Sequence, residues 1–147
     1  MRRALLLALF LVACTPPPSG RGLNTQALDT AIGQAIGDPT TCVLLADRAS
    51  GKVVYRYGDD FNCSRQLPRC DGKGTLNAHD ALQFAAAGRM ASCFSLPDGS
   101  RSVGWVEGKV QSKTRDLVFS AVMEGQNALP GIEMNARLYD AFQSAGL

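Results

Sequence analysis

The chain has 147 residues, of which 46% are hydrophobic and 19% charged, and its net charge is +2 at pH 7. This composition supplies enough apolar side chains for the core of one globular domain. The basic residues are scattered and form no run with interleaved aromatic residues. Because a nucleic-acid binder needs such a basic patch, we expect no nucleic-acid partner.

The N-terminal residues have the pattern of an export signal. Arg2 and Arg3 give a positive start, and the apolar run 4–13 is shorter than the roughly 20 residues that a helix needs to cross a bilayer. The run ends in Leu11-Val12-Ala13-Cys14, which resembles the lipobox of bacterial lipoproteins. This resemblance implies cleavage before Cys14 and a lipid on its sulfur, which makes the membrane a partner of the chain. The alternative is a conventional secretory signal that leaves Cys14 as a free thiol.

Residues 15–22 predict a tether between the membrane and a domain. Three prolines in this stretch remove backbone donors and fix φ, which prevents helix and sheet. Thr15 stands where an Asp would resemble an inner-membrane retention signal, and this favours the outer membrane, with the domain facing the periplasm. We therefore divide the chain into a signal peptide (1–13), a lipidated cysteine with its tether (14–23) and a single domain (24–147).

Four cysteines lie in the predicted domain, and an even number in an oxidising compartment predicts two disulfides. Three pairings are possible: one of them joins Cys63 to Cys70 and Cys42 to Cys93, and another joins Cys42 to Cys63 and Cys70 to Cys93. The sequence does not choose between them. A zinc site is disfavoured because the chain has no C-x-x-C pair and His79 is its single histidine. We expect neither a metal nor a cofactor.

The first half of the domain predicts a helix and a β-hairpin. Residues 24–37 place apolar side chains at helical spacing, with Asn24 or Thr25 as the N-terminal cap. Residues 42–47 and 52–57 are rich in β-forming residues and flank a four-residue loop. This loop length predicts three opposed pairs, namely Asp47 with Lys52, Leu44 with Tyr55, and Cys42 with Tyr57.

The second half of the domain predicts three strands between two helices. An irregular stretch at 59–74 precedes a helix at 77–87, for which Asn77 is a suitable cap, and a last helix opens at Pro130. The three strands are predicted at 90–96, 101–110 and 117–123. This element order predicts an α+β fold: an antiparallel sheet, built from the hairpin and a three-strand meander, with N- and C-terminal helices packed on it.

The patterns within the strands predict their burial. In the middle strand of the meander, Val103 and Trp105 alternate with Ser102 and Gly104, which predicts that one face is buried and the other exposed. The last strand is apolar at nearly every position, which predicts a central place in the sheet with both faces covered.

The order of the elements is similar to the α/β half of serine β-lactamases and penicillin-binding proteins. Residues 44–55 resemble the first hairpin of that family, and Val103-Gly104-Trp105-Val106-Glu107-Gly108 resembles its Gly-Trp-bearing strand, closest to class D enzymes. The stretches 119–125, 129–131 and 137–147 resemble its last strand and closing helix. The resemblance implies the same kind of fold, truncated where the family carries a large helical domain.

The catalytic motifs of that family are absent from this chain. Its Ser-x-x-Lys motif would begin at Ser64, but Leu67 stands in place of the lysine that helps to deprotonate the serine. Its Lys-Thr/Ser-Gly motif would fall in the strand at 90–96, which has no lysine, while Lys113-Thr114-Arg115 lies in the turn before the last strand. The resemblance therefore implies a binding domain that has lost its chemistry, and a serine hydrolase that uses Ser64 is the alternative.

Three residues of one predicted strand, Trp105, Arg101 and Glu107, share a face and are the candidate binding residues. The alternative for the tryptophan is that it packs beneath a helix. His79 falls in the first turn of an amphipathic helix, where a solvated position is simpler than a role as a base. We expect a cell-envelope lipoprotein that binds an envelope partner or a peptidoglycan component. A purely structural envelope lipoprotein of another α+β fold is the remaining alternative.

Overall fold

The computed structural model describes residues 22–147 of the chain. The predicted signal peptide, Cys14 and nearly all of the predicted tether lie outside the described residues. Within the described part, no helix has the length and hydropathy that crossing a bilayer would require.

The chain forms the predicted α+β fold, with a five-stranded antiparallel sheet and a small two-stranded sheet. The strand order of the large sheet is β2-β1-β7-β6-β5, so the last strand pairs with the first. The N- and C-terminal helices α1 and α4 pack on one face of this sheet and against each other. The elements are α1 (Thr25–Ile36), β1 (Cys42–Asp47), β2 (Val53–Tyr57), α2 (Asp60–Ser64), β3 (Leu67–Pro68), β4 (Thr75–Leu76), α3 (Ala78–Ala81), β5 (Arg89–Phe94), β6 (Ser102–Lys109), β7 (Leu117–Gly125) and α4 (Gly131–Ser144).

Strand β7 lies at the centre of the sheet, as its apolar sequence predicts. Phe119 and Ala121 pack with residues of α1 and α4, on what we call the helix face of the sheet. Val122 packs on the opposite face with residues of the segment 60–87, which we call the insert. Because each face of the sheet has its own apolar layer, β7 is buried on both sides.

The predicted register of the β1–β2 hairpin is correct at its turn and wrong beyond it. At the turn, the backbone N–H of Asp47 donates to Lys52 O at 2.9 Å. A β-bulge then leaves Val54 without a partner in β1 and shifts the later pairs by one residue. The observed pairs are Leu45 with Tyr55 and Val43 with Tyr57, in place of the predicted Leu44 with Tyr55 and Cys42 with Tyr57.

The bulge places Tyr55 on the helix face. There its hydroxyl donates to Asp29 Oδ1 of α1 at 2.7 Å, and burial together with this bond raises the pKa of Tyr55 above its ordinary value. Its predicted partner Leu44 faces the insert instead. Since a shift of one residue moves a side chain to the other face of a sheet, the bond to Asp29 requires the bulged register.

The insert has more regular structure at its start and less at its end than its sequence predicts. Helix α2 and strand β3 fall within the stretch that was expected to be irregular. The helix predicted at 77–87 is limited to α3 and one 3₁₀ turn, because the chain reverses at Gly88, with a φ of 76°, to begin β5. Asn77 caps α3 as predicted, since its side chain accepts a hydrogen bond from the Asp80 N–H at 2.8 Å.

Strand β6 is buried on both faces over most of its length, and not on one face as predicted. Gly104, which was expected on the exposed face, lies beneath the loop between β7 and α4. A Cβ at this position would lie 2.0 Å from Leu129 O and 3.0 Å from Met134 Sδ. Glycine is therefore required here because another part of the backbone approaches the strand closely.

Two disulfides are present, as predicted, and they are Cys42–Cys63 and Cys70–Cys93. Each joins the insert to the large sheet, since Cys42 belongs to β1 and Cys93 to β5. The two disulfides hold the short elements of the insert against the sheet. They do so on the face opposite to α1 and α4.

Candidate functional site

The three candidate binding residues share the insert face of the sheet, and the insert covers two of them. Trp105 is fully buried, and its indole Nε1–H donates to Pro68 O at 2.8 Å. Glu107 is buried as well, whereas Arg101 is half-buried beside the end of β6. Trp105 thus packs beneath the insert and offers no open platform to a ligand.

A bidentate ion pair holds Glu107. Arg89 Nε and Nη2 donate to its carboxylate oxygens at 2.9 and 2.8 Å, and Arg89 Nη1 donates to Arg69 O at 2.9 Å. The Arg89 guanidinium also lies 5.3 and 5.8 Å from the ring centroids of Phe84 and Trp105. Burial raises the pKa of the Glu107 carboxyl, and the bond with Arg89 opposes this effect. The pair fastens the insert to β5 and β6.

A second buried carboxylate, Glu124 of β7, also faces the insert. Its Oε1 accepts from Arg101 Nε at 2.8 Å and from Ser95 Oγ at 2.7 Å. Its Oε2 accepts from Arg101 Nη2 at 2.8 Å and from Arg65 Nη2 at 2.9 Å. The hydrogen bonds to Glu124 lower its pKa to about 2. The bonding with Arg101 has the largest effect on this pKa. Because each oxygen already accepts two hydrogen bonds, neither is available as a general base or as a metal ligand.

Ser64 is exposed at the C-terminal end of α2. Leu67, at the position of the missing lysine, is buried in the core beneath the insert. Arg65 is bound to Glu124, and its guanidinium offers only N–H donors and no acceptor for a proton of the serine. His79 is exposed on α3, and among residues 22–147 no hydrogen bond joins it to Ser64. The described part of the chain therefore brings no base to this hydroxyl.

An exposed apolar surface lies instead along the free edge of the sheet. Met90 and Phe94, both on the helix face of β5, are 53% and 69% exposed, and Ile132 and Tyr139 of α4 are 70% and 47% exposed. We call these four residues the edge surface. None of them was a candidate site residue, because the sequence does not show which strand ends the sheet.

The exposed residues of α4 face the same edge as β5. Ile132 and Tyr139 are about two turns apart and therefore share one flank of the helix. On the opposite flank, Arg137 Nη1 donates to Ala35 O of α1 at 3.2 Å. Because α1 lies toward β2 and α4 lies over β5 and β6, the flank away from α1 faces the β5 edge.

An apolar groove of about 400 Å³ adjoins Phe94. Its walls come from β5, from the start of β6 and from the loop before α4, including Leu129. The start of α4 is fixed on β5 because the Gly131 N–H donates to Ser92 Oγ at 2.8 Å. The groove can receive an apolar side chain of a molecule that lies along β5.

The accessible apolar features of the described residues are the edge surface and the groove beside it. Both buried carboxylates of the insert face are occupied by arginines, and Ser64 has no base within hydrogen-bond distance. Residues 22–147 contain no cluster of three or more potential metal ligands. Comparison with known protein families, curated proteins and solved structures finds no match.

Proposed function

We propose that this chain is a lipid-anchored cell-envelope protein whose domain binds a protein partner and carries out no catalysis. The edge surface is the observation that carries the proposal. Sheet edges in natural proteins are usually protected by charges, prolines or bulges. Between Met90 and Phe94 the edge strand has none of these, and Met90 and Phe94 place exposed apolar side chains on the helix face, on either side of Ser92.

The opposite edge of the same sheet is protected. Strand β2 carries the bulge at Val54, and its exposed Arg56 forms an ion pair with Asp60 at 3.0 Å. One domain therefore has one protected edge and one regular, apolar edge. This contrast supports β5 as an edge that a partner covers.

The chemistry of the edge surface favours a protein over a peptidoglycan strand. A peptidoglycan strand presents sugar hydroxyls and charged peptide groups, which polar and charged side chains recognise. The edge surface offers apolar side chains and the backbone groups of an unpaired strand. Such edges recognise polypeptide by main-chain hydrogen bonds, with apolar pockets for alternate side chains.

We also propose that the domain is related to the α/β half of serine β-lactamases and penicillin-binding proteins. The element order supports this relationship, as does the pairing of β7 with β1, which places α1 beside α4. The insert, residues 60–87, occupies the place of the large helical domain of that family. Its short elements cover Trp105, and Ser64 lies exposed at the end of α2.

Photocrosslinking of the full chain in cells tests the proposed binding. A photoreactive amino acid in place of Phe94 should give a crosslinked product of higher mass. The same amino acid in place of Arg56, on the protected edge, is the matched control and should give none. Absence of a product from position 94, or equal products from both positions, would contradict the proposal.

A further inference from the structure

We infer that one end of the domain is a membrane-contact surface, and that its partner is the anionic phospholipid headgroups of the membrane that holds the lipid anchor. The inference rests on the anchor of the proposed function and adds the orientation of the domain on the membrane. The surface lies where the β1–β2 turn meets the loop between β6 and β7. We call it the basic end and define it by five cationic residues, namely Arg48, Lys52, Lys109, Lys113 and Arg115.

The fold gathers these cations from separate parts of the sequence. Asp47 pairs with Leu117, at the end of β1 and the start of β7. In the turn that follows β1, the Arg48 N–H donates to Asp116 O at 3.0 Å. The Val110 N–H donates to Leu117 O at 2.9 Å, which brings the end of β6 to the same place. Cations that are scattered in the sequence therefore lie together at one end of the sheet.

The carboxylates at the basic end are few and already have partners. Asp47 accepts from the N–H and the hydroxyl of Ser50 at 2.8 and 2.7 Å. Asp116 forms an ion pair with Arg48 at 3.5 Å, and both side chains are exposed. Even when the carboxylate of Leu147, beyond the last turn of α4, is counted with them, the cations outnumber the carboxylates by five to three.

The lysines of the basic end carry charge that the domain does not neutralise. Lys52, Lys109 and Lys113 are all exposed. Within residues 22–147, every ion pair is formed by an arginine, so none of these lysines has a carboxylate partner there. Three ammonium groups are therefore free to meet an external anion.

The opposite end of the sheet has the reverse character. Its loops and the start of α2 contain no lysine, and Arg65 and Arg101 at this end are bound to Glu124. Four aspartates lie there, namely Asp38, Asp59, Asp60 and Asp98. The domain is thus electrically asymmetric along its strands, and an anionic surface attracts the basic end and repels the other.

The chain enters the described structure at the basic end. A Cβ on Gly22 would lie 2.9 Å from Arg115 Nη2, and Leu23 packs against the apolar layer of the helix face. Cys14 is eight residues before Gly22, and eight residues reach at most about 28 Å. The opposite end lies farther away by the length of β7, whose nine residues span about 27 Å. The anchor therefore holds the same end that the charges favour.

The chemistry of the basic end fits lipid headgroups. Each Lys or Arg near an anionic membrane raises the affinity about fivefold, and the attraction decays within a Debye length of about 8 Å at physiological salt. None of the large exposed apolar residues lies in 48–52 or 110–116, so the contact is electrostatic and does not enter the acyl chains. The same two loops offer no aromatic side chain on which the bases of a nucleic acid could stack.

Fluorescence quenching of the lipidated full chain in vesicles tests the orientation. The vesicles are phosphatidylcholine with or without phosphatidylglycerol, and spin-labelled headgroups act as quenchers. A fluorescent amino acid in place of Thr114, at the basic end, should be quenched in the anionic vesicles. High salt or neutral vesicles should abolish this quenching, because the attraction is electrostatic. The matched control is the same amino acid in place of Ser100, at the opposite end, which should remain unquenched in both.

Equal quenching at position 114 in neutral and anionic vesicles, or none in either, would overturn the inference. Equal quenching at positions 114 and 100 would overturn it as well, because the domain would then have no preferred orientation.

A pair of double variants tests the charges. Lys52→Gln with Lys113→Gln should lower the affinity of the domain for the anionic surface at least about tenfold, as measured by salt titration of the quenching at position 114. The matched control, Arg56→Gln with Arg137→Gln, also removes two exposed cations but lies outside the basic end. It should change the affinity less than about twofold, since its charges lie away from the membrane. If both variants have wild-type melting temperatures and equal affinities, the basic end is not the contact.

The outcomes separate this inference from the proposed function. If the wild-type chain is absent from the membrane fraction, the anchor is wrong and both proposals fall. If the chain is anchored and position 94 gives its crosslinked product, but position 114 shows no quenching that depends on anionic lipid, the orientation alone is wrong.

Discussion

Arg101 and Glu124 form a bidentate ion pair, in which Arg101 Nε and Nη2 each donate to one carboxylate oxygen at 2.8 Å. The pair joins the turn between β5 and β6 to the end of β7. Arg65, at the end of α2, donates to the same carboxylate at 2.9 Å and so attaches the insert to this corner of the sheet. One carboxylate therefore connects three parts of the chain that are distant in sequence.

Acid should weaken the fold through Glu124. Its pKa is about 2 in the folded state, and a glutamate in an unfolded chain has a pKa of about 4.3. Because the folded value is the lower one, the stabilisation is complete above about pH 4.3 and is lost as the pH falls toward 2. Glu124→Gln should flatten the loss of stability over this range, as measured by thermal melts at successive pH values.

At neutral pH, Glu124→Gln should destabilise the domain by about 1–3 kcal/mol, because two arginines lose their charged acceptor. The matched control is Glu133→Gln, which breaks the exposed ion pair with Arg137 on α4 and should cost less than about 1 kcal/mol. Equal effects of the two changes, or an unaltered acid profile in Glu124→Gln, would contradict this role.

Gly104→Ala should destabilise the domain strongly. The new Cβ would lie 2.0 Å from Leu129 O, which is a backbone atom and cannot rotate away. Overpacking of this kind typically costs about 1–3 kcal/mol. Gly125→Ala is the matched control in a neighbouring strand, since the nearest atom to its Cβ is Arg101 Nη2 at 3.9 Å. Urea unfolding should show a lower midpoint for Gly104→Ala than for Gly125→Ala, with similar slopes.

Local features of the fold are predictable from the sequence because their causes are local. Asn24 and Asn77 cap their helices through bonds to the N–H groups three residues later. The hairpin turn follows from its loop length. The register beyond the turn does not follow from the loop length. It depends on the bulge at Val54, which places Tyr55 where it can contact Asp29 of α1. That contact exists only in the folded chain.

The edge surface could not be predicted for a similar reason. Met90 and Phe94 have the spacing of any buried strand face, and their exposure depends on β5 being the last strand of the sheet. Strand order is a long-range property that composition and periodicity do not contain. Trp105, in contrast, was a candidate binding residue because it shares a strand face with Arg101 and Glu107. The insert covers it in the folded chain, and this cover is a long-range feature like the strand order.

The two disulfides should respond differently to reductant. They close loops of similar length, with sequence separations of 21 and 23, so loop entropy predicts about 3 kcal/mol for each. Cys42 and Cys63 are fully buried, whereas Cys70 and Cys93 are half-buried. Mild reduction should therefore open Cys70–Cys93 first, as detected by alkylation and peptide mapping. Peptides that link Cys63 to Cys70 would contradict the pairing.

Paired alanine substitutions should show the same difference in stability. Replacement of Cys42 and Cys63 together removes one crosslink and also leaves a void in the core beneath the insert. Replacement of Cys70 and Cys93 together removes a crosslink with less loss of packing. We expect a lower melting temperature for the first double variant than for the second, and the reverse order would contradict this account of the core.

Cys14→Ser should release the chain from the membrane and block its processing. The expectation follows from the sequence Leu11-Val12-Ala13-Cys14, which resembles a lipobox. Fractionation and mass analysis of the mature chain measure both effects. Thr15→Ala, next to the cysteine, is the matched control and should leave processing unchanged. A Cys14→Ser chain that is trimmed normally and stays in the membrane fraction would show that Cys14 is not the anchor.

Ser64 should form no covalent adduct with penicillins. An acyl-enzyme requires an activated serine, a base that takes its proton and donors for the oxyanion. Ser64 is exposed, Leu67 is buried at the position of the lysine, and Arg65 is occupied by Glu124. Loss of the base alone typically lowers the rate by a factor of about 10²–10⁴.

Fluorescent penicillin should leave the full chain unlabelled, in the wild type and in Ser64→Ala alike. Labelling that disappears in Ser64→Ala would show that the chain is a serine acyltransferase or hydrolase, and the proposal of a binding domain without catalysis would then be wrong.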